Sequence, residues 1–199
     1  MAGSPRSHYL FLSLLQARIG ASVVSRLGEV DGLLEVPAAE VASRAGLKER
    51  AARTFEELKE TFDPGAMHGA LARRGICVLT PLDEGYPARL KEMPDSPPAL
   101  YVHGEVPDAP AVAVVGSRAA SPTGLESARS LGRALGERGV CVVSGLALGV
   151  DAAAHRGALE AGGPTVGVLG CGIDVTLPSE YKPHRAKVPR PTARGRSAG

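Results

Sequence analysis

Apolar positions in the first sixty residues recur at helical spacing. Leu10, Leu14 and Leu15 share a face, and Val23, Val24 and Leu27 resume the pattern after Ile19-Gly20. Pro37 to Ser43 and Leu47 to Glu60 read as two further helices, the second with Glu56, Glu57, Lys59 and Glu60 as its solvated side. Residues 1–62 are thus expected to form a helical module. Residues 63–110 read as a connector, since prolines from Pro64 to Pro110 punctuate it and disfavour long helices. Two short extended pieces fit within it, Ile76 to Leu79 and Ala99 to Val102.

From Ala111 the pattern changes. Three short apolar runs follow, Ala111 to Val115, Val140 to Val143 and Val166 to Leu169. Between the first two lies a helical pattern with Leu125, Ala128, Leu131 and Leu135 expected on its buried face. Thr123 with Glu126, or Ser121 with Pro122, can start that helix, and Gly139 can stop it. Asp151 to Glu160 reads as a second helix, closed by Gly162-Gly163. Continuous apolar runs suit buried parallel strands, and right-handed crossovers put both helices on one face. The fold class is therefore α/β: residues 111–181 form an incomplete Rossmann-like parallel sheet, β-α-β-α-β, behind a small helical module.

Residues 182–199 carry no apolar periodicity, and three prolines, two glycines and six cations predict a disordered basic tail. The tail changes the meaning of the charge. The net charge over 199 residues is +2, but without those six cations the rest holds 17 basic against 21 acidic residues. A basic nucleic-acid-binding body does not follow from the total. Hydrophobic residues at 44% and charged residues at 22% are ordinary for a globular protein. Cys77, Cys141 and Cys171 have no C-x-x-C spacing and are expected to be small buried residues in a reducing compartment. No apolar run is long enough to span a bilayer, and Gln16 and Arg18 interrupt the faint signal-like core after Arg6, so a cytoplasmic location is expected.

All three apolar runs end in small-residue turns: Gly116-Ser117-Arg118, Ser144-Gly145 and Gly170-Cys171-Gly172. In a parallel sheet these lie along the carboxyl edge, where α/β folds bind ligands. Helix N-termini near Ser121 and Asp151 add partial positive charge there, and Arg118 adds a guanidinium fork. Any one of these turns reads most simply as a tight strand-to-helix connection. Three of them beside Arg118 favour an anion or phosphate cradle. Asp151 and His155, four apart, share a helix face. They could orient an imidazole toward a ligand, or merely cap and fill the helix. The dinucleotide fingerprint, the Walker lysine and the G-x-S-x-G elbow are missing, so no cofactor, metal or catalytic residue is assigned.

Val114-Val115-Gly116-Ser117-Arg118 with Ser121-Pro122 and Gly124 resembles the opening motif of the DNA processing protein A family, DprA or Smf. Ser144 to Asp151 with Ala154-His155 resembles its second motif, and Val166 to Gly172 with Asp174 and Leu177-Pro178 its third. Tyr86-Pro87, Leu90, Pro97-Pro98 and Leu100-Tyr101-Val102 with Gly104 are similar to the family's lead-in segment, and the helical start to its helix-hairpin-helix-like module. The resemblance implies a dimeric, non-enzymatic recombination mediator that binds single-stranded DNA in natural transformation and loads the RecA recombinase. It implies that Gly116, Ser117, Arg118, Ser144, Gly145 and Gly149 border the DNA-phosphate pocket, with Asp151 and His155 supporting it. The family's α/β domain runs on past the position of Pro178, whereas here the composition after Tyr181 is that of a shifted reading frame in GC-rich DNA. A truncated domain is therefore expected. The alternatives are a nucleotide-binding hydrolase on a related fold and an inactive truncated product.

Overall fold

The computed structural model describes residues 4–20, 27, 32–173 and 175. The expectations for Val23 and Val24, for Asp174, for Leu177-Pro178 and for the basic tail lie outside them. The chain divides into two compact units after Val102.

The first unit begins with α1, Pro5–Ile19. Ser4 caps it by accepting from the Ser7 N–H, and Pro5 sits in the first turn. Helices α2 (Ala38–Arg44), α3 (Glu49–Thr61) and α4 (Pro64–Arg73) follow. Strand β1 (Ile76–Leu79), the single turn α5 (Ala88–Lys91) and strand β2 (Leu100–His103) come after, and β1 pairs with β2. Helix α1 is apolar on two sides, which explains its position. Phe11, Leu12 and Leu15 join Leu33, Val41, Phe55 and Leu58 in one core. Leu10 joins Val78 and Ala99 in another, flanked by Met67, Leu71 and Tyr101. The Phe11 ring meets Phe55 and Phe62 edge-on, with centroids 5.2 and 5.4 Å away.

Residues 63–102 thus fold with the N-terminal helices. The ten-residue α4 is an addition to the two short extended pieces expected in this stretch. Pro64 lies in its first turn, where a missing N–H does no harm, and Asp63 caps it by accepting from the Ala66 N–H at 2.9 Å. Arg6 ties α1 to the segment after β1. It donates to the Val78 carbonyl at 2.6 Å and to Asp83 at 2.7 Å. The other Asp83 oxygen accepts from the Thr80 N–H and hydroxyl.

The second unit is built on β3 (Ala111–Ala113), α6 (Pro122–Gly136), β4 (Cys141–Ser144), α7 (Val150–Glu160) and β5 (Thr165–Gly167). The strands are parallel in the order β3-β4-β5, with Val112, Val142 and Thr165 in register. This is the expected Rossmann-like β-α-β-α-β arrangement. Of the two possible starts for α6 the chain uses Ser121, whose hydroxyl accepts from the Gly124 N–H, with Pro122 following.

The buried face of α6 differs from the expected one. Leu125 and Leu131 are exposed, and Ala128, Gly132 and Gly136 are buried instead. The reason is how close the helices come. A Cβ on Gly132 would overlap the Ala154 carbonyl oxygen, and one on Gly136 would stand 3.0 Å from that of Ala158. Hydrophobic spacing marks large side chains, whereas these helices touch through their backbones. Val114, Val142, Ala154 and Ala158 form the core between the helices and the sheet, with Leu135 and Val150 at its margin. On the opposite face Val115 is 73% and Val168 58% exposed.

Only Cys141 is buried, and Cys77 and Cys171 are exposed, which corrects the expectation of three buried thiols. Cys77 alternates outward along β1 between buried Ile76 and Val78, and Cys171 lies in a surface turn. Among the described residues no helix is long and apolar enough to cross a membrane, and no cluster of three or more His, Cys, Asp or Glu could hold a metal ion.

Candidate functional site

The carboxyl ends of β3, β4 and β5 bring the three small-residue turns to one edge of the sheet. The first turn, Gly116-Ser117-Arg118, rests on the start of α7. A Cβ on Gly116 would stand 2.8 Å from a Val150 methyl. The Ser117 carbonyl accepts from the Val150 N–H at 3.1 Å, and its hydroxyl accepts from the Ala119 N–H at 3.1 Å. Gly149 passes beneath this turn with φ 85°. A side chain there would overlap the Ser117 carbonyl oxygen, so both the conformation and the space require glycine. Arg118 is exposed, and its guanidinium makes no hydrogen bond or ion pair among the described residues.

The second turn leaves β4 at Ser144. That residue is buried, and its hydroxyl donates to the Val114 carbonyl at 2.5 Å, bridging β4 to the end of β3. Its own carbonyl accepts from the Val168 N–H at 2.8 Å, extending the pairing with β5. Ser144 therefore shapes the edge, with its hydrogen already engaged inside. The next N–H, of exposed Gly145, donates to the buried carboxylate of Asp151 at 3.1 Å. Asp151 lies in the first turn of α7, where a negative charge complements the helix dipole. One of the donors expected to face a ligand, the Gly145 N–H, is thus already taken by this carboxylate, whose charge also lies in the first turn of α7.

His155 lies elsewhere. It is buried on α7, and its Nδ1 is 2.6 Å from the Thr165 hydroxyl, at the start of β5. The Thr165 hydroxyl gives its single hydrogen to the Val142 carbonyl at 2.9 Å, so Nδ1 carries a proton and donates to Thr165. At about 3.3 Å per residue, Thr165 is roughly 10 Å from Val168 and the turns. Asp151 is brought to the turn edge and His155 is not.

The third turn, Gly170-Cys171-Gly172, is exposed throughout, and Gly172 accepts from the Val175 N–H at 2.9 Å. Two residues of the second motif, to which the sequence reading gave no role of their own, shape the edge. Val150 props the first turn from below. Leu146, at φ 57°, is the only non-glycine with positive φ among the described residues. Neither carries a signal in spacing or composition, because each role depends on a neighbour distant in sequence.

An exposed guanidinium on a glycine-bearing turn suits a phosphate, because its paired N–H groups match two phosphate oxygens. Residues 77–193 match the family model of DNA recombination-mediator protein A. The chain is 35% identical over 178 residues to a putative DNA processing protein DprA of Mycobacterium tuberculosis, covering 81% of this chain and 44% of the relative. It is 45% identical over 103 residues to the DNA processing protein DprA of Streptococcus pneumoniae, covering 51% of this chain and 36% of that one. It is 42% identical over 106 residues to Protein Smf of Escherichia coli, covering 52% of this chain and 28% of that one. The solved structure of the pneumococcal protein superposes with a TM-score of 0.69 at 31% identity, covering 90% of this chain and 62% of the other. The chain therefore spans less than half the length of these three curated relatives. The mycobacterial and pneumococcal relatives are named for DNA processing rather than for a catalysed reaction. With its Rossmann-like sheet, its three carboxyl-edge turns and a family match over most of its length, the chain belongs to the DNA recombination-mediator protein A family.

Proposed function

We propose that this chain binds single-stranded DNA through its phosphates at the turn edge of the sheet, in the cytoplasm, and assists loading of the RecA recombinase. The observation that carries this reading is Arg118, exposed on a turn that Gly149 and Val150 hold from beneath. In this reading Arg118 and the main chain of Gly116 and Ser117 meet the phosphate. Gly145 gives the strand close access, Gly149 lets the first turn lie directly on it, Ser144 fixes the edge, and Asp151 orients the second turn. His155 serves the interior of the domain.

Residues 111–180 contain no aromatic side chain, so the edge offers no ring for base stacking. Binding is then expected to follow the backbone and to be indifferent to base identity. The test is Arg118→Ala against the parent, both lacking residues 182–199, in filter binding to a single-stranded oligonucleotide. Loss of a charge-assisted contact of about 1.5–3 kcal/mol, roughly a tenfold or greater weakening, supports the reading. Equal affinities remove Arg118 from it. RecA loading is read separately, as filament formation on strands coated with a single-strand binding protein, with and without the chain.

A further inference from the structure

The left-handed backbone of Leu146 is one that L side chains avoid, because Cβ crowds the following carbonyl. Such conformations persist only where the surroundings over-determine them, and they gather at ligand sites. Here the surroundings can be named. Leu146 is 9% exposed. A Cβ built on Gly167 would stand 2.5 Å from both Cδ1 and Cγ of Leu146, so the leucine lies flat against the bare backbone of β5. Immediately before it, the Gly145 N–H is held by Asp151 and the Ser144 carbonyl by Val168. Three successive residues are thus fixed by three different partners. The last is a knob seated on a missing side chain. Beyond them the chain reaches Gly149, whose passage under Ser117 leaves no room for a side chain.

We propose that Leu146, seated on Gly167, is a positioning residue. It clamps the central turn to β5 and so sets the shape that the turn presents to a DNA phosphate. The ligand in this statement rests on the phosphate-binding reading above, whereas the clamp itself does not. If Leu146 merely filled space, its loss would lower stability without a local signature. If it positions the turn, its loss frees residues 145–149 while the rest of the second unit stays ordered.

The experiment uses the full 199-residue chain with Leu146→Ala, Gly167→Ala and the double variant. Amide hydrogen exchange in the free protein is followed by mass spectrometry, and binding to a fluorescent oligothymidylate is measured at fixed salt. Leu146→Ala should speed exchange in peptides covering 145–149 at least tenfold, with α6 and α7 unchanged, and should weaken oligothymidylate binding at least fivefold. Gly167→Ala should do the same by pushing the leucine out of its seat. The double variant should recover part of both losses, because the new methyl at 167 occupies space vacated at 146. Unchanged exchange in Leu146→Ala, exchange that rises evenly through the unit, or losses that simply add in the double variant would each overturn the clamp. If the parent fails to bind oligothymidylate, the phosphate reading fails, and the exchange data still decide the clamp.

Discussion

A Cβ placed on Gly157 of α7 would overlap the main-chain carbonyl oxygen of Arg129 on α6. The two helices are in backbone contact there, and an exposed clasp holds their outer side. Arg129 donates through Nε and Nη2 to the two Glu160 oxygens, and Arg133 donates to one of them. The glycine contact sets the spacing. The exposed ion pairs contribute little by comparison, since water screens them.

Gly157→Ala should therefore destabilise the second unit, although alanine favours helix by up to about 1 kcal/mol. The added methyl must push a backbone, and overpacking of this kind costs about 1–3 kcal/mol. Gly69→Ala in α4 is the matched opposite. Its Cβ meets only the tip of the Arg73 side chain, at 3.4 Å, so it should stabilise by up to about 1 kcal/mol. Urea unfolding of both variants checks the pair.

Phe11→Ala should be the most damaging single change in the first unit. The ring is fully buried and meets two other rings edge-on. Loss of such a side chain costs about 3–5 kcal/mol. Thermal melting by circular dichroism should show lower helix content and an earlier transition.

Asp83 supplies a pH dependence. Burial raises its pKa, but the hydrogen bonds from Thr80 and the charge and hydrogen bond of Arg6 outweigh that, leaving it below the ordinary aspartate value. A lowered pKa stabilises the folded state above the unfolded value, near pH 4. That contribution disappears as pH falls through the folded value. The parent should thus lose stability faster than Asp83→Asn between about pH 4 and pH 2, narrowing the gap that separates them at pH 7. Chemical denaturation at a series of pH values measures it.

The thiols give a rapid check of the fold. Cys77 and Cys171 should react at once with an aromatic disulfide reagent. Cys141 should react only on unfolding, because burial both shields it and raises its thiol pKa, which disfavours the nucleophilic thiolate. A third equivalent released in the folded state would contradict the placement of β4.

The six cations of residues 182–199 should contribute to DNA binding without specificity. If all contact phosphates on a single strand, they add about −4 to the log–log salt slope. Comparing the full chain with residues 1–181, on single-stranded DNA and on heparin, separates this contribution from that of Arg118. Loss of all binding with the tail would leave the turn edge without its proposed role.

The alternation of apolar runs and helical patterns after Ala111 made β-α-β-α-β legible in sequence, although of the three strands only β4 is largely buried, β3 being exposed and β5 half-buried. The glycine-bearing turns were legible as an edge because each one ends an apolar run. What could not be read was which contacts each residue makes across the fold. Gly132 and Gly157 look like weak points in a helix until the partner backbone is seen. The spacing of Asp151 and His155 suggested a pair, yet α7 runs back from the edge and carries His155 toward Thr165. The orientation of Ser144, and the seat that Gly167 gives Leu146, depend on strands some twenty to thirty residues away.

The clamp of Arg6 on Val78 and Asp83 has a consequence for the order of events at the ribosome. Arg6 cannot find these two partners until more than seventy further residues have been made, well after the core partners of α1 between Leu33 and Leu58, so the first unit closes on contacts distant in sequence. In the second unit each strand pairs with the next one to be made. During synthesis the Leu10 side of α1 must wait for partners not yet translated. A nascent-chain pause before Asp83 would leave it in the care of chaperones.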